Sequence, residues 1–202
     1  LEFNWLAYSI SETLGNKDWA NKLYKKAVDK PGNVREVCDL ADSISETLGD
    51  REWGKEIYKK AANEATEYSD FYELADIMCE KLGNKQKAAE LYKKAEDSTE
   101  DSSDFNSLAE HLLKKLGDKD WAKKVYVKAE SKAEDCMDFC CLADSLFENL
   151  SDEEWAKKLY KKSGCEAKES AEFRELADSL LKNLRDEEWA KKLYKKSEEK
   201  AK

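Results

Sequence analysis

The residues most able to do chemistry in this sequence are one histidine and a short run of cysteines. His111 is the only histidine, so a Ser-His-Asp or Cys-His catalytic device would have to be built around that position. Cys136 and Cys140 stand four residues apart with Cys141 beside them, and together with His111 these thiols could hold a soft metal ion. Zinc sites usually have more closely paired ligands, so we interpret the cysteines as small apolar side chains and expect no metal site.

No other catalytic motif stands out in the chain. The sequence contains no glycine-rich phosphate loop, no HExxH, no GxSxG and no paired CxxC. We therefore expect a protein that is not an enzyme and that carries no cofactor.

Charge narrows the class of partner that the protein can bind. Charged residues make up 40% of the 202 residues and the formal net charge is −9, which disfavours nucleic acid and anionic membranes as partners because both require positive charge. No apolar run approaches the ~18 residues of a membrane span, and the first residues lack the basic region of a secretory signal. The cysteines do not recur at equivalent positions, as they would in a disulfide-stabilised secreted scaffold, so we expect free thiols and a cytoplasmic protein.

Acidic residues recur at a fixed interval of 34 residues. In one set, five acids follow an initial tyrosine: Tyr8, Asp42, Asp76, Glu110, Asp144 and Asp178. A second set, mostly acidic, lies four residues later: Glu12, Glu46, Glu80, Lys114, Glu148 and Lys182. Like charges four apart on a helix cost about a few tenths of a kcal/mol for each pair, so local helix stability does not explain them.

The same period runs through the whole chain. A leucine followed by alanine recurs at Leu6, Leu40, Leu74, Leu108, Leu142 and Leu176. Apolar residues at helical spacing surround each leucine and predict a first helix, and a second apolar stripe later in each copy predicts a second helix.

A short break separates the two predicted helices of each copy. It contains glycine in four copies and Ser151 or Arg185 in the last two. Glycine favours the end of a helix, and an Asn or Asp side chain caps the start of the next one. The predicted capping residues of the second helices are Asn16, Asp50, Asn84, Asp118, Asp152 and Asp186. We also expect Ser69 and Ser103 to cap the first helices of their copies.

One helix pair cannot bury both of its apolar faces, so neighbouring pairs must stack. The sequence therefore predicts an all-α solenoid of six 34-residue helix-turn-helix repeats with about twelve antiparallel helices. We expect residues 1–202 to form a single domain of this kind. Its repeats are predicted at approximately 1–33, 34–69, 70–103, 104–137, 138–171 and 172–202.

Two motifs accompany the period. The first helices carry L-A-x-x-[IL], with Met78 at the last position in the third copy. The second helices carry A-x-x-[LIV]-Y-x-K-[AS], with Gly54 replacing the alanine in the second copy. The period and these motifs resemble the tetratricopeptide repeat, and KAAELYKKAE at 87–96 is similar to the related Sel1-like repeats. The resemblance covers essentially the whole chain and implies a right-handed solenoid. The copies depart from the family pattern because they have Leu-Ala in place of Leu-Gly and lack its initial tryptophan.

The resemblance also implies a binding face. In tetratricopeptide-like arrays the first helices line the concave groove, so this groove would be acidic and its outer wall basic. The predicted partner-binding residues are Tyr8, Asp42, Glu46, Asp76, Glu80, Glu110, Asp144, Glu148 and Asp178. The alternative is that these acids and the lysines of the second helices neutralise each other between helices.

Tryptophans lie just inside five of the second helices, at Trp19, Trp53, Trp121, Trp155 and Trp189. We interpret them as packing between helices of adjacent copies, with a ladder that reads a peptide or a base as the alternative. The third copy has Lys87 at this position, which predicts a looser joint there.

These observations predict a non-catalytic protein-interaction scaffold whose first-helix face binds a basic or extended segment of a partner protein or peptide. The rival hypothesis is a structural module whose copies associate end to end, as part of a longer repeat array. Each terminal pair lacks one neighbour, so we expect five apolar residues of the last pair to be partly uncovered: Phe173, Leu180, Leu184, Leu193 and Tyr194.

Overall fold

The protein is all-α in a computed structural model that describes residues 2–30 and 32–201. These residues form twelve α-helices and no strand. The first helices of the six pairs are α1 Glu2–Leu14, α3 Val34–Thr47, α5 Tyr68–Glu80, α7 Ser102–His111, α9 Cys136–Leu150 and α11 Ser170–Ser179. The second helices are α2 Lys17–Val28, α4 Arg51–Glu64, α6 Lys85–Ser98, α8 Lys119–Lys132, α10 Glu153–Glu166 and α12 Glu187–Lys200. Two π-helical segments, Leu112–Leu116 and Leu180–Leu184, directly continue α7 and α11.

Each turn within a pair joins a left-handed residue to a capping side chain. The residues with positive φ are Gly15, Gly49, Gly83, Gly117, Ser151 and Arg185. The side chain that follows each of them accepts a hydrogen bond from the backbone N–H three residues later, as Asn16 does from Trp19 at 3.0 Å and Asp118 from Trp121 at 2.9 Å. The six predicted Asn and Asp caps are therefore confirmed.

The prediction that Ser69 and Ser103 cap first helices is wrong. Both serines lie inside the first turn of their helices, α5 and α7. The Asp101 carboxylate caps α7 instead, because it accepts from the backbone N–H of Ser103 at 2.8 Å and of Asp104 at 3.3 Å. The Ser103 hydroxyl also donates to Asp101, which leaves the carboxylate as the capping group.

The helix pairs belong to two compact units, with the division between Ser98 and Thr99. Unit 1 contains α1–α6 and unit 2 contains α7–α12. Within unit 1, the members of each pair pack together, α2 packs on α3 and α4 packs on α5. Within unit 2, α8 packs on α9 and α10 packs on α11 in the same way. The predicted all-α stacking of successive helix pairs is confirmed.

Repeating side chains form the core of each unit. In unit 1, Leu40 and Leu74 of the Leu-Ala motif are buried, and in unit 2 the equivalents Leu108, Leu142 and Leu176 are buried. The alanine after each of these leucines is also buried, which allows the helices to approach closely. The second-helix tyrosines are the largest core side chains that recur: Tyr24, Tyr58, Tyr92, Tyr126 and Tyr160.

The predicted exposure of the last helix pair is wrong for three of its five residues. Phe173, Leu180 and Leu193 are buried, because α11 and α12 pack against each other and α11 packs on α9 and α10. Leu184 and Tyr194 are half-exposed. Apolar exposure is instead pronounced in the first pair.

Among the described residues, no helix combines the length and the apolar character that crossing a bilayer would require.

Candidate functional site on the first helices

Most acids of the first predicted set accept hydrogen bonds from tyrosines of the paired second helix. Four tyrosine–aspartate pairs form in this way: Tyr58–Asp42, Tyr92–Asp76, Tyr160–Asp144 and Tyr194–Asp178. Burial raises the pKa of Tyr58 well above its usual value, and the hydrogen bond that its hydroxyl donates to the Asp42 carboxylate raises this pKa further. Asp42, Asp76 and Asp144 therefore stabilise their helix pairs, because each accepts from the hydroxyl of a buried tyrosine. The Tyr194–Asp178 pair is exposed to solvent.

Two of these aspartates also join adjacent repeats. The Asp42 carboxylate accepts from Lys81, which lies just after α5, with the ammonium 2.5 Å from Oδ2. Asp144 accepts from the Ser179 hydroxyl at 3.0 Å and from the Asn183 amide at 2.9 Å, and both residues belong to the next first helix and its π-helical extension. These contacts within each unit fix the spacing of neighbouring first helices.

Glu110 breaks the tyrosine–aspartate pattern. Its carboxylate accepts from Lys114 and from the Ser145 hydroxyl, both at 2.8 Å. Burial acts to raise the pKa of Glu110, but the hydrogen bonds from Lys114 and Ser145 outweigh burial and lower this pKa. The hydroxyl of the paired Tyr126 is buried and has no close hydrogen-bond partner among the described residues. Burial raises the pKa of Tyr126, and a weaker interaction with the Asn149 side chain acts against that rise.

The outer predicted residues are more accessible than Asp42, Asp76 and Asp144, and Asp178 is exposed as they are. Glu46 is exposed and forms no hydrogen bond or ion pair within the described part of the chain. Glu148 accepts from Lys182 at 2.6 Å, and both side chains are at least half-exposed. Glu80 and Tyr8 are also exposed. The predicted site therefore divides into aspartates that support the fold and outer residues that solvent can reach.

The second-helix lysines have partners of their own. In five pairs a lysine ammonium lies over the ring of a first-helix phenylalanine, 5.3 to 5.8 Å from the ring centroid: Lys26–Phe3, Lys94–Phe71, Lys128–Phe105, Lys162–Phe139 and Lys196–Phe173. These are cation–π distances. The lysine partners of Asp42, Glu110 and Glu148 are residues of first helices or their ends. For these three acids, the alternative that second-helix lysines neutralise them is therefore wrong.

The cysteines that could have formed a metal site pair with serines. Cys136 Sγ lies 3.2 Å from the Ser163 hydroxyl, and Cys140 donates to the Ser179 hydroxyl at 3.6 Å. Burial raises the pKa of the Cys140 thiol to about 12. All six thiols are free, and residues 2–30 and 32–201 contain no group of three or more His, Cys, Asp or Glu side chains arranged to hold a metal ion.

The second-helix tryptophans have mixed surroundings. Trp155 Nε1 donates to Glu130 Oε2 at 2.7 Å, which links α10 to α8 of the preceding pair in agreement with the packing interpretation. Trp19 is exposed on α2. At Lys87, which replaces the tryptophan in the third copy, a concavity of about 450 Å³ opens beside Lys55, Lys59 and Leu82. The looser joint predicted there stays a prediction.

Two residues that were not predicted lie next to predicted partner-binding residues. Trp5 and Asp39 line the same concavity as Tyr8, Asp42 and Glu46. Composition gave a signal for Trp5, because it is the one tryptophan that falls on a first helix rather than a second. Asp39 gave no comparable signal, since its position carries a different residue in the other copies.

Comparison of the chain with protein-family models and with curated proteins finds no match. The resemblance to the tetratricopeptide repeat therefore stays a prediction that rests on the period and on the two helix motifs.

Proposed function

We propose that this protein is a non-catalytic interaction scaffold of the tetratricopeptide-like type, whose first helices bind a basic or extended segment of a partner protein. The observation that carries the proposal is the accessibility of the outer acids. Among the described residues Glu46 is exposed and forms no ion pair, although it lies one turn from Asp42 on the same helix. A cationic segment bound there would neutralise the charge of Glu46, whereas Lys81 already neutralises that of Asp42.

The distribution of lysines supports the same direction of charge. Lysines of the second helices lie over phenylalanine rings of the first helices, near their N-terminal ends. They are not directed to the outer acids Glu46 and Glu148. The first helices therefore carry exposed negative charge that a cationic partner can contact.

A matched pair of charge variants tests the proposal. The first variant carries Glu46→Gln, Glu80→Gln and Glu148→Gln on first helices. The control carries Glu56→Gln, Glu90→Gln and Glu154→Gln on second helices, so both variants lose three negative charges. The probe is a peptide of alternating lysine and serine with blocked ends, and its Kd is measured by isothermal titration calorimetry.

We expect the first-helix variant to bind the peptide about tenfold more weakly than the unchanged protein, since an exposed charge pair contributes up to about 1 kcal/mol. The second-helix control should keep its affinity within about twofold. Equal weakening in both variants would mean that the peptide senses only net charge, and the proposal would be wrong.

End-to-end association of copies is a second candidate, favoured by one observation. Leu6 is 48% exposed, whereas Leu40 and Leu74 at the equivalent positions of unit 1 are buried. Leu14 of the same helix is also exposed. Helices α2 and α4 pack on the first helices of the next repeats, so a similar helix of a second copy could cover Leu6. Sedimentation should then show association that Leu6→Glu abolishes, and a monomer at all concentrations would exclude this candidate.

A further inference from the structure

A concavity of about 450 Å³ lies between α1 and α3 in unit 1. Its lining consists of aromatic, acidic and amide or hydroxyl side chains: Asn4, Trp5, Tyr8, Asp39, Asp42, Ser43 and Glu46. Helix α1 contributes the aromatic side chains and α3 contributes the three acids. An aromatic wall facing an acidic wall is suited to a cation that has a flat face.

The tryptophan in this concavity is exposed because of its position on the helix. Trp5 is 68% exposed, and the equivalent Asp39 of the next repeat is exposed as well. Leu6 differs from Trp5, since its equivalents Leu40 and Leu74 are buried. A preceding helix pair would therefore cover the position of Leu6, whereas the position of Trp5 stays open when a pair precedes it.

One buried polar atom of a lining residue has no partner among the described residues. Asn4 is only 9% exposed, and its Oδ1 forms no hydrogen bond with any of them. Leaving a buried acceptor unpaired costs about 1 to 3 kcal/mol. This oxygen is closed to solvent, so a ligand in the concavity would reach it only if the Asn4 side chain rotated.

Two of the three acids are free to bind a ligand. Asp42 already accepts from Tyr58 and Lys81. Asp39 and Glu46 form no hydrogen bond or ion pair with any described residue. The concavity therefore keeps two negative charges next to the exposed faces of Trp5 and Tyr8.

We propose that this concavity binds the guanidinium group of an arginine in the partner's basic segment. The inference rests on the proposed function, and it adds one side chain and one place for that side chain. A guanidinium is planar, so it stacks on an indole ring while its N–H groups donate to a carboxylate. A lysine ammonium provides the charge and lacks the planar stacking surface.

The test uses small probes that isolate this group. The full chain, labelled with ¹⁵N, is titrated with Nα-acetyl-arginine methylamide, and the indole N–H signal of Trp5 is followed by NMR. The lysine compound of the same form and the citrulline compound, which has the shape of arginine without its charge, are titrated in parallel. We expect a saturable shift of the Trp5 signal with arginine, binding of lysine that is about threefold weaker, and no saturable shift with citrulline.

Substitutions then locate the binding. Trp5→Ala and Asp39→Asn should each weaken arginine binding by about threefold to tenfold, read from the other shifted amides. Trp19→Ala removes another exposed tryptophan of the first repeat, outside the concavity, and should leave the affinity unchanged. Binding of citrulline or lysine as tight as that of arginine would overturn the inference, and so would unchanged binding by Trp5→Ala.

The two proposals fail in different ways. If the first-helix Gln variant weakens the lysine–serine peptide while Trp5→Ala leaves arginine binding intact, the arginine site is wrong and the scaffold proposal stands. If the arginine compound behaves as expected and the two Gln variants bind the peptide equally, the site exists and the wider acidic face does not bind.

Discussion

The second-helix tyrosine has different surroundings in different repeats. Tyr160 donates to Asp144 at 2.5 Å, whereas the buried hydroxyl of the equivalent Tyr126 has no close partner among the described residues. Glu110 stands where four other repeats have aspartate, and its longer side chain places the carboxylate on the Ser145 hydroxyl. The same residue type therefore contributes differently to the stability of two repeats in one unit.

We expect Tyr160→Phe to lower the free energy of unfolding of unit 2 by about 1 to 3 kcal/mol, because the substitution removes a hydrogen bond to a carboxylate. Tyr126→Phe should change it by less than about 0.5 kcal/mol or raise it, since the lost hydroxyl has no close partner. Urea denaturation of both variants provides the measurement. Equal losses in the two variants would mean that the tyrosine contributes through its ring alone.

The tyrosine–aspartate contacts could not be predicted from the sequence, although the residues themselves could. The 34-residue spacing identified the acids as a set, and the same motif contained the tyrosine. Their contact depends on how the second helix is rotated against the first, since the 16 positions from Asp42 to Tyr58 include the turn between α3 and α4. Spacing within one helix carries no information about that rotation.

At the scale of elements, the turn within each pair is the best-predicted feature. Glycine and the Asn or Asp that follows it each have one physical role, which the local sequence expresses directly. The π-helical ends of α7 and α11 were not predicted, because nothing in LLKKL or LLKNL distinguishes them from α-helix. The caps of the first helices were predicted less well, because each joint contains several polar residues that could cap the next helix. In α7 the capping residue is Asp101 and not Ser103.

Arg185 occupies a turn position where four repeats have glycine. Its φ is 54°, in the left-handed region that is unfavourable for residues with a Cβ atom. We expect Arg185→Gly to stabilise unit 2 by about 0.5 to 1 kcal/mol, after the larger entropy of glycine in the unfolded chain is deducted. Thermal denaturation measures the change. Arg185→Ala is the control, because it removes the side chain and keeps the unfavourable backbone, and stabilisation as large as that of glycine would contradict the explanation.

At the scale of the whole molecule, the period predicted twelve helices in six pairs because each repeat contains the same two apolar helix patterns. The burial of the last pair could not be predicted in the same way. Phe173 and Leu193 are covered by their own pair and its predecessor, and sequence alone does not tell which apolar face of a pair turns toward which neighbour. The exposure of Leu6 and Trp5 at the opposite end required the structure for the same reason.

The central claim is that the first helices carry the binding face, and mapping a bound basic peptide tests it most directly. The ¹⁵N-labelled protein is titrated with the lysine–serine peptide, and amide shift changes are assigned to helices by NMR. We expect the largest changes on α1, α3 and α5 of unit 1 and on α7, α9 and α11 of unit 2, and we expect them to diminish as salt is raised from about 0.05 to 0.3 M. Changes centred on the second helices, or spread evenly over both sets, would contradict the claim.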